Sequence, residues 1–324
     1  MNPVPTKKRD YRIDCVKTLA VILVIVHHIT ECGVTMSDEV GGGLRFAWYY
    51  LRGVSLTCVN LFLLATGFLC IASSNPWKRL QSIWLQVFVT GITVTAAFSF
   101  FSGHVTLSDW IRSLFPIVTG EYWYFTAYFL LVLFMPLLNP GIRAMEKKVL
   151  RQLLLLLFAL LCISSLVIHD DPFVLKKGYS FAWMLVAYLF GAYWRLHVDE
   201  NPPSALLCLA VLTCCSLSFL IPSFGKRLFS GEVGEWFGNM NCWWYISPFN
   251  MGMSLSIFGL FRHVKISNNH VIQLFSVLSS TSFGIYLWCV HPVFWNHCWR
   301  PVFGGDCHFK PVGSSAGNRL PSQW

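Results

Sequence analysis

The sequence predicts an all-α, polytopic membrane protein, a transmembrane helix bundle of about nine spans with a cytoplasmic N-terminus. Three observations carry that expectation. Apolar residues make up 55% of the 324-residue chain and charged residues only 12%, whereas a soluble domain carries about 25% charged residues. Mean hydropathy is +0.56. Apolar runs also recur from one end to the other with no soluble-sized block between them, so the surplus apolar surface belongs in lipid.

A spanning helix needs about 20 mostly apolar residues. Read between charges, the candidate runs are residues 18–30 (short, extended backwards by 15–17), 53–77, 80–108, 122–142, 152–169, 178–194, 201–225, 236–261 and 271–299. Where runs exceed a bilayer, Asn75-Pro76 and Asn139-Pro140 read as stops, because proline disfavours helix in the residue before it. Orientation follows from Lys and Arg in the connecting segments. With the N-terminus inside, the cytoplasmic side collects fourteen of them and the external side seven, the last 25 residues aside. The first run lacks a small-x-small cleavage site and reads as retained. Residues 1–299 thus form one membrane domain, and residues 300–324, polar and rich in Pro, Gly and Ser, read as an external tail, disordered or loosely packed.

Composition also excludes functions. The net charge of +9 is dispersed between apolar runs rather than gathered in a stripe, which argues against nucleic acid as a partner. Most of the twelve cysteines lie within apolar runs, without CxxC or Cys/His ligand spacing. Buried cysteine behaves as a small hydrophobe, so neither a disulfide framework nor a metal site is expected.

Ionisable groups inside spans are functional candidates by default, and here nearly all are histidines, whose pKa suits acid–base work near neutrality. Lys17 and His28 are separated by 11 residues, about three helical turns, which puts both on one face with His28 ~16 Å further along the axis. Lys17 at the cytoplasmic boundary could meet a phosphate, and His28 could meet a reactive group at the far end of the same ligand. Coenzyme A has that form. The same pair also admits a structural reading, with Lys17 snorkelling and His28 satisfied between helices. His27 points about 100° away from His28 and is assigned to packing. Glu31, one turn on, could orient the His28 imidazole.

The order of several segments resembles membrane-bound acyltransferase family 3. Arg12-Ile13-Asp14, Lys17 and His27-His28 are similar to that family's first helix. Val59-Asn60-Leu61-Phe62 with Thr66-Gly67-Phe68 resembles its second. Further matches are Tyr122 to Tyr128 running to Pro136-Leu137-Leu138-Asn139, then Gly178-Tyr179-Ser180 with Gly191-Ala192-Tyr193. Tyr245-Ile246-Ser247-Pro248 and Ser282 to Leu287 with His291-Pro292 complete the order. The resemblance implies transfer of an acetyl or other short acyl group from cytoplasmic acyl-CoA, a donor substrate and not a resident cofactor. The acceptor would be a hydroxyl of a glycan or lipid-linked sugar, in a multi-pass protein of the cell membrane.

In that picture His28 is the essential base or acyl carrier, and Lys17 contacts CoA phosphates where the family uses Arg. Lys gives a point charge where Arg gives a fork. Lys78 and Arg79 partly match the family's basic cluster, whose second arginine falls near Ser82 or Gln86. Trp123, Tyr124, Tyr245 and Tyr286 are substrate-binding candidates, although Trp123 and Tyr124 equally suit an interfacial belt. Glu121 could bind sugar hydroxyls or stand idle as an exposed loop acid. His291 could bind substrate or hydrogen-bond across helices. The family's tenth span has no counterpart, so the C-terminus reads as diverged or truncated. Two rivals keep the fold: a transporter or flippase of a small solute or lipid-linked sugar, and an inactive relative acting as a scaffold. Oligomeric state is not legible.

Overall fold

The computed structural model describes residues 9–32, 42–73, 77–102, 105–167, 172–266 and 270–291. The expected tail, the Asn75-Pro76 stop and the Glu31 side chain lie outside the described residues. Among the described residues every regular element is helical.

Seven helices or joined helices are long and apolar enough to cross a membrane: Tyr11–Thr30, Phe46–Cys70, Trp77–Phe101, Trp123–Ala144, Lys147–Val167, Ala205–Leu228 and His270–Val290. They lie on seven of the nine apolar runs. The remaining runs hold α9 (Phe181–Tyr193) and α13 (Pro248–His263), which are shorter. Both are central. Trp183, Met184, Ala187, Tyr188 and Ala192 of α9 are fully buried, as are Met251, Met253 and Phe258 of α13. A helix walled by other helices buries its apolar side chains in protein, so it needs no stretch of lipid length.

The bundle is built around α3 (Thr57–Cys70), which packs most extensively on α9 and is flanked by α1 (Tyr11–Cys32) and α13. Glycines set the α3–α9 distance. A Cβ on Gly67 would overlap the Tyr188 carbonyl, and one on Gly191 the Leu64 carbonyl. Backbones in contact gain dispersion and exclude lipid, which is how membrane helices associate without a hydrophobic drive between them. Asn60 of α3 adds a fully buried polar tie, donating to Asn250 (2.9 Å) and accepting from the Trp183 indole (3.0 Å).

The Asn139-Pro140 stop is not used. Helix α6 (Trp123–Ala144) runs through both Pro136 and Pro140. Proline inside a membrane helix is tolerated where neighbours satisfy the local polar groups. Asn139 supplies such a tie, donating to the Cys70 carbonyl (2.9 Å) and accepting from the Tyr188 hydroxyl (2.6 Å).

Chain direction gives the bundle two distinct ends. One carries the starts of α1, α4 (Trp77–Ser102) and α14 (His270–Val290) with the finishes of α3, α6, α9 and α13. An ionic clasp closes part of it: Arg12 and Arg262 both bind Asp10, while Arg195 and Arg262 both bind Asp199. Burial disfavours the Asp10 carboxylate, but the two arginines outweigh it and hold its pKa below the usual range. This is the basic end. The other, the aromatic end, gathers the finish of α14 and the starts of α6 and α9, and there Tyr122 meets His291 while Trp123 meets Tyr179.

Candidate active site

At the basic end, α1 and α14 are stitched by side chains from one face of α1. Lys17 donates to the Ser279 carbonyl (2.9 Å), and Ser279 donates from its hydroxyl to Asp14 (2.8 Å). Asp14 is held in turn by Arg9 (2.6 Å). Arg79, near the start of α4, lies close enough to Lys17 for the two charges to repel. Its guanidinium donates to the Cys70 sulfur and to the Tyr128 hydroxyl, each at 2.6 Å. Among the described residues neither Lys17 nor Arg79 pairs with a carboxylate. Asp14, already bound by Arg9, offsets these two neighbouring cations only in part, and an anionic ligand would offset the rest. Lys78 is exposed.

From Arg79 a line of aromatic rings leads along α6 toward the other end. Tyr128 and Tyr124, one turn apart, stack with centroids 5.7 Å apart, and Tyr124 meets Tyr286 of α14 at 5.5 Å. Parallel to it, α1 carries Lys17, the buried Val24 and His28 on one stripe. His28 is half-buried near the finish of α1, its ring 5.5 Å from that of His27. His27 is turned into the protein instead, only 6% exposed, with Nδ1 3.5 Å from the Ser55 hydroxyl. The structure thus separates the two histidines as the helical angle predicts.

At the aromatic end, Trp123, Tyr179 and Tyr245 form a mutual group, with centroids 4.6, 6.0 and 5.0 Å apart. The Tyr286 hydroxyl faces the Tyr124 amide but closes no hydrogen bond of good geometry among the described residues. His291 is buried. One side of its ring meets the Gly91 carbonyl, and Nδ1 has no hydrogen-bond partner there. Burial lowers its pKa to about 4, so the ring is neutral. Glu121 corrects an expectation: it is not an exposed loop acid but 7% exposed, 3.4 Å from Arg112. Burial raises its pKa, and Arg112 opposes that shift only in part.

Sequence reasoning passed over Tyr128, Cys70 and Arg112. Tyr128 stands four residues after Tyr124, so the helical period alone would have found it. Cys70 and Arg112 carry no local signal, because their partners come from other helices.

A family model described as an acyltransferase domain matches residues 10–297. The chain belongs to acyltransferase family 3. Neither a curated protein nor a solved structure matches it. The match covers both ends of the bundle, so the cation pair, the tyrosine line and the aromatic group all fall within the acyltransferase domain. Acyl transfer needs a base for the acceptor hydroxyl and a place for a charged donor. The half-buried imidazole of His28 and the Lys17–Arg79 cations all lie within the matched residues. Among the described residues no cluster of His, Cys, Asp and Glu is arranged to hold a metal ion.

Proposed function

We propose that this membrane acyltransferase draws an acetyl or other short acyl group from acyl-CoA at the basic end and delivers it to a sugar hydroxyl at the aromatic end. The observation that carries the reading is the Lys17–Arg79 cation pair, whose charge Asp14 offsets only in part, with Lys17 on the same helical stripe as His28. The phosphates of coenzyme A would meet Lys17 and Arg79, and the pantetheine arm would run along the tyrosine line toward His28. About three helical turns separate Lys17 from His28, ~16 Å along the axis.

In the transfer step the neutral imidazole of His28 takes the proton of the sugar hydroxyl as its oxygen attacks the thioester carbonyl. The carbon–sulfur bond then breaks, and the CoA thiolate leaves with a proton returned from the imidazole. Trp123, Tyr179 and Tyr245 would present ring faces to the sugar, and Tyr286 and His291 would offer polar atoms to its hydroxyls. The acceptor is a glycan or a lipid-linked sugar, and the protein works in the cell membrane.

His28→Ala should abolish transfer from radiolabelled acetyl-CoA while the protein still inserts and binds acetyl-CoA, and His27→Ala should retain most activity. Loss of transfer in His27→Ala with activity surviving in His28→Ala would sink the assignment.

A further inference from the structure

Helices α6 and α7 (Lys147–Leu157) are joined by only two residues, Met145 and Glu146. Both belong to stretches long and apolar enough to cross a membrane, so this turn stands at the bilayer boundary of the basic end. Around it lie Arg143, Lys147, Lys148 and Arg151, with Glu146 as the single acid between residues 143 and 151. All five are exposed. Arg143 suits its place, because the last turn of a helix favours a cation. Lys147 donates to the His197 carbonyl (3.5 Å) and ties α7 to the residues after α9. Neither account serves the other two cations. Lys148 stands in the first turn of α7, where the helix dipole disfavours positive charge. Among the described residues neither Lys148 nor Arg151 makes a hydrogen bond or an ion pair.

Lys148, Arg151 and Leu155 follow one another at intervals of three and four residues, so they share one face of α7. Beyond the cations that face is apolar and open to lipid: Leu155 is 62% exposed and its neighbour Leu156 55%. Side chains of a helix lean back toward its N-terminus. The ammonium and guanidinium are thereby carried out to the headgroup level, while the leucines stay at the depth of the lipid chains. Positive charge at the end of a span orients it from any position around the helix, and needs no apolar lane beneath it. Two cations above such a lane match a phospholipid in both charge and order. From this juxtaposition we infer that this face of α7 docks an anionic phospholipid of the leaflet at the basic end, its phosphate between Lys148 and Arg151 and its chains along Leu155 and Leu156. The inference stands apart from the acyl-transfer reading and gives these cations no part in it.

The test uses the full chain in phosphatidylcholine nanodiscs, with electron spin resonance of spin-labelled phosphatidylglycerol and spin-labelled phosphatidylcholine reporting the lipid held at the protein surface. Wild type should hold the anionic probe roughly tenfold more tightly than the zwitterionic one. Lys148→Gln and Arg151→Gln should each lower that preference about fivefold, the value of one basic residue near an anionic lipid surface. Lys148→Arg should keep it. Lys265→Gln, exposed at the same end of the bundle, should leave it unchanged. Equal retention of the two probes by wild type, or a preference that survives in both Gln variants, overturns the site. An equal drop in Lys265→Gln makes the attraction a diffuse property of the basic end and overturns it too. Acetyl-CoA affinity is measured on the same preparations and should not change. Its loss in Lys148→Gln and Arg151→Gln, with the lipid preference intact, would assign the patch to the donor instead.

Discussion

Lys17 and Arg79 are neighbouring cations with different attachments, and that difference governs what their loss should do. Lys17 makes one hydrogen bond, to a backbone carbonyl that remains bonded within its own helix. Lys17→Ala should therefore leave the fold intact and weaken acetyl-CoA binding by roughly ten- to a hundredfold, with Lys17→Arg preserving it. Unchanged affinity on isothermal titration would reduce Lys17 to a topology determinant. Arg79 also orders Cys70 and Tyr128, so its removal should lower stability and affinity together. Glu121 offers a pH test. Its folded-state pKa is raised by burial, so the folded chain holds that proton more tightly than the unfolded one. The stability so contributed is present at low pH and lost as pH rises through the raised value. Wild type should thus gain melting temperature over Glu121→Gln as pH falls from neutral, and a parallel pair of pH curves would refute this. At this scale the spacing of Lys17 and His28 made their shared face of α1 legible. It could not show Glu121 as buried, because burial depends on Arg112 and on a loop folded back over its neighbours.

Helix boundaries were legible where lipid dictates length and misread where protein does. The prolines of α6 suggested a stop because local propensity was the only guide, yet Asn139 and Tyr188, 49 residues apart, stabilise the continuous helix. Similarly, α9 and α13 bury their apolar surfaces against other helices, which no local pattern shows. The contact of α3 with α9 gives a prediction at this level. Gly67→Leu should destabilise the protein by more than the ~1–3 kcal/mol typical of overpacking, since the obstacle is backbone that cannot change rotamer. Gly91→Ala is the control. Its Cβ would stand 3.5 Å or more from Ser113, ordinary contact, and alanine favours helix over glycine by up to ~1 kcal/mol. Thermal unfolding in detergent should show a marked loss for the first and none for the second. Equal melting temperatures would mean the helices are further apart than described.

For the molecule as a whole, composition made a membrane bundle legible, and the positive-inside bias gave an orientation that awaits measurement. With native cysteines replaced, Lys177→Cys should react with an impermeant maleimide on intact cells. Lys265→Cys should react only after permeabilisation. The reverse pattern would invert the topology and the sides assigned to donor and acceptor. What no single-sequence pattern held was the ionic clasp at the basic end, since the Asp10–Arg262 pair joins residues 252 apart. The opposition of the two ends has a physiological meaning. On the proposed reading, spent coenzyme A remains with the metabolic pool that made the thioester, while the ester is formed on the far face of the barrier. Only the acyl group changes compartment. The cell thus modifies its exterior without exporting a nucleotide, and the traffic is governed by the energy state of its interior.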